Sequence, residues 1–142
     1  MNGRQIERIL RRHVPQFDGV FSSDRLPERR GPKLFVANTE ANDEPGDHWV
    51  AISVDRRRDG QYFDSFGRPP PKIFREYMLR HCRTWTFNRS QLQSAASDVC
   101  GHYCVVWCML NSRGVDLSSL LCTSDTGLND AIVRNIVGSM NM

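Results

Sequence analysis

The segment from Cys100 to Leu110, CGHYCVVWCML, is apolar nearly all the way round. A helix with that pattern has no side to offer to water, so it must lie in the middle of its domain with other elements packed around it. The remaining sequence supplies the covers. Residues 3–14 carry Ile6, Ile9, Leu10 and Val14 at helical spacing, and Pro15 ends the run. Residues 15–32, rich in Pro, Gly, Ser and Asp, read as an irregular surface connection. Lys33 to Asn38 and His48 to Val54 read as strands, with Asn42 to Asp47 a loop of turn formers between them. Asp59-Gly60 reads as a hairpin turn, returning through a strand over Gln61 to Phe66. Gly67 and the prolines at 69, 70 and 71 stop that strand, and a helix follows over Pro71 to His81. Thr84 to Phe87 reads as a short strand, and Thr126 to Val137 as a final amphipathic helix. The expected fold is α+β, one domain over residues 1–142: a small antiparallel or mixed sheet flanked by helices, one central and buried.

Composition narrows the functional classes. The chain has 142 residues, 39% hydrophobic and 25% charged, in the range of globular domains. No apolar run approaches the roughly 20 residues of a membrane span. The N-terminus, Met1 to Gln5, leads into a charged helical pattern rather than a secretory core, so we expect an intracellular, non-secreted protein. Five cysteines, at 82, 100, 104, 108 and 122, cannot all pair within one chain. Three share a helix face at intervals of four, which suits reduced thiols better than disulfides. No CxxC pair supports a zinc site among Cys100, His102, Cys104 and Cys108, and no GxSxG elbow supports a serine hydrolase. The net charge of +3 gathers in Arg11-Arg12, Arg29-Arg30 and Arg56-Arg57-Arg58. These permit DNA or another polyanion as a partner without demanding one.

The chemistry concentrates at Cys100. A thiol becomes a good nucleophile only as thiolate, which a helix N-terminus and a neighbouring imidazolium both favour. Small and polar residues (Ser94, Ala95, Ala96, Ser97, Asp98) precede Cys100, a buried helix follows, and Gly101 leaves the backbone uncrowded. His48 opens a strand, and Asp64 lies on the strand that returns beside it, where its carboxylate would orient the imidazole. His102, two positions along the helix, points away from Cys100, and His13 and His81 are expected to face solvent.

His48-Trp49, Tyr62-Phe63-Asp64-Ser65-Phe66-Gly67, and Gln93 seven positions before Cys100-Gly101 together resemble the adenovirus-type cysteine peptidases, of the same clan as the SUMO- and ubiquitin-like-deconjugating peptidases. The order His, Asp or Glu, Gln, Cys is the family's. Val36-Ala37-Asn38-Thr39 and Cys104 extend the similarity, which covers about residues 3–115. It implies a papain-related fold with the nucleophile at the start of the central helix, His48 as base and acid, Asp64 as orienter, and Cys100 as nucleophile. Gln93 would donate to the oxyanion beside the Cys100 backbone N–H, and Trp49 would wall the cleft. The chain is shorter than adenoviral members after the nucleophile helix, and has Ser94-Ala95-Ala96-Ser97 where they carry a Pro-Asn or Asn-containing turn. The resemblance further implies protein substrates cut near Gly, and an origin in a small DNA virus or virus-like mobile element. The host nucleus, cytoplasm or virion would then be its location. It also implies activation by DNA or by a peptide captured on Cys82, eighteen positions before Cys100. The chemistry needs no cofactor or metal, and we expect a monomer. The rival readings are a deconjugating peptidase and a catalytically inactive nucleic-acid-associated binding module.

Overall fold

The computed structural model describes residues 1–39 and 48–141; the loop expected over Asn42 to Asp47 lies outside them. Helix α1 (Gly3–His13) opens with a reciprocal cap. Asn2 Oδ1 accepts from Gln5 N at 2.9 Å, and Gln5 Oε1 accepts from Asn2 N at 2.8 Å, satisfying two otherwise orphaned donors. Strands β1 (Gly19–Phe21), β2 (Lys33–Asn38), β3 (Trp49–Val54) and β4 (Asp59–Phe63) follow, then helix α2 (Lys72–His81) and strand β5 (Thr84–Phe87). Helix α3 (Cys100–Asn111), a 3-10 turn (Leu117–Ser119) and helix α4 (Thr126–Met140) complete the order.

The five strands form one sheet in sequence order. The pairs β1–β2 and β4–β5 are parallel, whereas β2–β3 and β3–β4 are antiparallel, so the sheet is mixed. Successive residues of β2 and β3 alternate between two cores, as the period of two requires. Leu34, Val36 and Ala51 join the core under α1, α3 and α4, while Phe35, Ala37, Val50 and Ile52 join Phe74, Tyr77 and Met78 of α2. Helix α3 buries Cys100, Gly101 and Tyr103 through Cys108, as its apolar circumference demands.

Two local expectations are corrected. The irregular connection contains β1, a strand too short to show in the pattern. Asp18 anchors it: its N–H donates to Leu34 O and its Oδ2 accepts from Leu34 N, each at 2.8 Å, and Arg29 pairs with its carboxylate. The hairpin turn is Asp55 to Arg58, not Asp59-Gly60. Asp55 Oδ1 accepts from Arg57 N and Asp59 N, both at 2.9 Å, and Arg58 takes the left-handed conformation at φ 65°. Gly60 sits inside β4 for another reason: a Cβ there would lie 2.3 Å from Cys82 Sγ and 2.9 Å from Met78 Cε. The glycine marks close packing, not a turn.

Candidate active site

The hairpin register places the first pieces. The register that pairs Val54↔Gly60 and Ala51↔Phe63 brings the end of β4 beside the start of β3, and just past the strand the chain turns at Asp64, whose carbonyl accepts from Gly67 N at 2.8 Å. Within that turn Phe66 stacks its ring on that of His48, with centroids 5.2 Å apart. Asp64 receives the Nε2 of His48 at 2.8 Å on Oδ1. The same oxygen accepts the Phe66 N–H at 2.8 Å, which aims the carboxylate. Asn88, just past β5, clamps the Asp64 backbone on both sides: Oδ1 accepts from Asp64 N at 3.0 Å, and Nδ2 donates to Asp64 O at 2.6 Å. Both ring and carboxylate are secluded, at 12% and 4% side-chain exposure, where a charge-assisted bond is worth more than at a surface.

With Nε2 committed to Asp64, Nδ1 is the nitrogen left to face Cys100, which lies near enough for ring and sulfur to stabilise each other's charge. Burial works against a charged imidazole, yet the bonds to Asp64 and then Cys100, with both negative charges, overcome it and raise His48 to about 9. Burial likewise works against a thiolate. The His48 bond, the Trp49 backbone N–H, the imidazolium charge and the Gly101 N–H overcome it and lower Cys100. Helix α3 supplies the setting. Val99 at its N-cap makes no side-chain cap bond, and its first turn holds no acidic residue. Its leading N–H groups are therefore left for an anion, and the sulfur stands where the helix dipole favours one.

The other cysteines differ. Cys104 and Cys108 are fully buried on α3, and burial pushes both thiols well up. Cys82, the expected capture site for an activating peptide, lies in the core across the sheet, packed under Gly60. Burial raises its thiol. Cys122 is exposed, its thiol lowered first by the Ser124 hydroxyl.

Gln93 is wholly enclosed, at 0% exposure. Ser65 Oγ donates to its Oε1 at 2.6 Å, which fixes the amide's orientation. Its Nε2 faces Ser97, with O at 3.0 Å and Oγ at 3.1 Å. Ser97 closes the turn with N–H and Oγ both on Ser94 O at 3.1 Å. Trp49 stands beside the nucleophile. Its Nε1 donates to Met1 O at 3.3 Å, and its Cδ1 would lie 3.4 Å from a Cβ on Gly101.

The structure thus brings His48, Asp64, Cys100 and Trp49 together, ties Gln93 to the residue after Asp64, and sets Cys82 apart. His13 and His81 do not face solvent freely: His13 Nε2 lies 3.0 Å from Met140 O, and His81 Nε2 lies 2.8 Å from Glu28 Oε2. Asn88, Ser65 and Ser97 escaped sequence reading. Asking what satisfies the Asp64 backbone beyond the strand end is the one question that would have pointed to Asn88. Among the described residues no cluster of His, Cys, Asp and Glu is arranged to hold a metal, and no helix is long and apolar enough to cross a membrane.

No protein-family model matches the chain, and no curated protein matches it. Solved structures do. The ASFV pS273R protease superposes with a TM-score of 0.65 at 19% identity over 92% of this chain, which spans 64% of that protein's length. The central domain of the uncharacterized Lpg1148 protein from Legionella pneumophila gives 0.61 at 11% identity, covering 99% of this chain and 97% of that one. The SUMO protease Ulp1, solved with its catalytic cysteine oxidized to a sulfinic acid, gives 0.55 at 12% identity, covering 99% and 78%. At these identities the likeness is one of fold: the chain has the α+β architecture of the ASFV protease and Ulp1.

Proposed function

We propose that the chain is a cysteine peptidase in which Cys100 attacks, His48 moves the proton and Asp64 orients His48. The contact series Asp64–His48–Cys100 at the mouth of a buried helix is the observation that carries this reading. In the resting site His48 holds the proton and Cys100 the negative charge. The thiolate sulfur attacks the scissile carbonyl carbon, and the π electrons move to oxygen. The Cys100 N–H and the Gln93 amide would bind that oxyanion. As the oxyanion collapses, the C–N bond breaks and His48 Nδ1 gives its proton to the leaving amine, producing a thioester. Water then loses a proton to Nδ1 as its oxygen attacks the thioester. The carboxylic acid departs and the thiolate is restored.

The preferred substrate class is a precursor protein, of viral or mobile-element origin by the resemblance, cut by an endopeptidase beside Gly. Trp49 beside Cys100 and Gly101 supports the Gly preference, since a tryptophan wall would leave little room for a bulky side chain. A second reading, deconjugation of a ubiquitin-like modifier, is favoured by the extent to which the fold of the SUMO protease Ulp1 is covered. The test is turnover of Gly-containing fluorogenic peptides and of ubiquitin- and SUMO-coumarin conjugates, with and without DNA, against Cys100→Ala. Peptide cleavage abolished by Cys100→Ala supports the first reading, and conjugate cleavage alone supports the second. No Cys100-dependent turnover of any of them contradicts the peptidase and leaves the binding module.

A further inference from the structure

The amide of Gln93 can be aimed only as well as the segment that carries it. Residues 91–97 belong to neither sheet nor helix, and what holds them is polar and buried. From the end of β4, Ser65 O accepts from Leu92 N at 2.9 Å and from Gln93 N at 3.1 Å. From the opposite side, α4 presents Asn129 and Asp130, at 0% and 3% exposure. Asn129 Nδ2 donates to Leu92 O at 3.1 Å and to Cys122 O at 2.6 Å, while its Oδ1 accepts from Cys122 N at 2.8 Å. Asp130 Oδ1 accepts from Ser94 N at 3.3 Å and from Tyr103 Oη at 2.7 Å.

Tyr103 stands on α3, three positions after Cys100, and its Oη also lies 3.0 Å from Leu92 O. A phenol has one proton to give, and the shorter, charge-assisted bond to the carboxylate takes it. Leu92 O keeps the Asn129 amide as its donor. Burial first, and then the carboxylate it bonds, raise the Tyr103 phenol, so it stays a donor. Asn129 and Asp130 thus grip the backbone on each side of Gln93, and Tyr103 joins that grip to the nucleophile helix. A buried carboxylate stabilises a core less than a well-packed apolar group does, so stability alone does not account for it.

We propose that Asp130, bridged by Tyr103, is the positioning residue that sets Gln93 relative to Cys100. This rests on Gln93 serving the oxyanion in the peptidase reading.

A double-mutant cycle tests it. Asp130→Ala and Asp130→Asn are made in the wild type and in Gln93→Ala, and kcat, KM and Tm are measured on a Gly-containing peptide. Asp130→Ala is expected to lower kcat ~10–100-fold with KM within about twofold, part of the 10²–10³ that one oxyanion donor supplies. Asp130→Asn keeps an oxygen acceptor for Ser94 and Tyr103 and recovers most of the loss. In Gln93→Ala the further change costs no more than about twofold, because residues acting as a unit are not additive. The same loss in both backgrounds, or none in the wild type, overturns the proposal. Should Asp130→Ala fail to fold, Tyr103→Phe carries the same cycle. A wild type without turnover refutes the peptidase reading instead. Hydrogen exchange then decides the positioning: the Ser94 N–H is slow in the wild type and Asp130→Asn and fast in Asp130→Ala, and equal rates in all three overturn it.

Discussion

Replacing Asp64 by Asn isolates the charge from the shape of the site. The Asn oxygen can still accept from His48 Nε2 and from Phe66 N, both 2.8 Å from Oδ1 in the wild type, and Asn88 still clamps the backbone. What is lost is the negative charge behind the imidazolium. A hydrogen bond to a charged group contributes about 1.5–3 kcal/mol, and one pKa unit corresponds to about 1.4 kcal/mol, so His48 should fall by roughly 1–2 units from about 9. The assay is the pH dependence of kcat/KM, whose basic limb reports loss of the His48 proton. In the wild type that limb lies near 9; in Asp64→Asn it moves down by ~1–2 units, and the rate above it falls. Stability follows the same sign. A group whose pKa is raised by folding stabilises most below its unfolded value and loses that contribution as pH rises through its folded value. The wild type therefore loses the His48 contribution as pH rises through about 9, and the variant loses a smaller one earlier. A basic limb that stays near 9 in Asp64→Asn refutes the assignment of Asp64 as the group that holds His48 charged.

Gly60→Ala forces a Cβ to 2.3 Å from Cys82 Sγ and should destabilise by ~1–3 kcal/mol as overpacking, measured by urea denaturation; an unchanged midpoint contradicts the close packing. Asn88→Ala removes both bonds to the Asp64 backbone and leaves buried groups unpaired, so it should cost ~1–3 kcal/mol of stability and lower kcat more than it raises KM. A variant as stable and as active as the wild type contradicts the clamp.

How much of this was legible in the sequence depends on the range of the interaction. Helices α1, α2, α3 and α4 and strands β2, β3 and β5 follow from local period and stop signals, with ends differing by a few residues, the most at α4. Strand β1 escaped because three residues carry no period; its strand state comes from Asp18 reaching Leu34. The hairpin turn was misplaced because Gly60 mimics a turn glycine, whereas its reason lies in Cys82, twenty-two positions on. His48, Asp64 and Cys100 stood out by residue type and order. Their support did not: Asn88, Ser65, Ser97 and Asp130 are ordinary polar residues whose roles exist only once distant segments meet. Cys82 shows the converse: the resemblance implied capture of a peptide there, whereas the fold packs the thiol into a core.

The account depends on Cys100 being a thiolate because His48 is charged beside it. The direct measurement is the rate of chloroacetamide labelling of Cys100 against pH, in a Cys122→Ser background so that the exposed thiol does not compete. The account predicts fast labelling well below the usual thiol range near ~8.5, and in His48→Ala a curve moved up to that value or beyond, since burial alone opposes ionisation. Superimposable curves for the two proteins would contradict it.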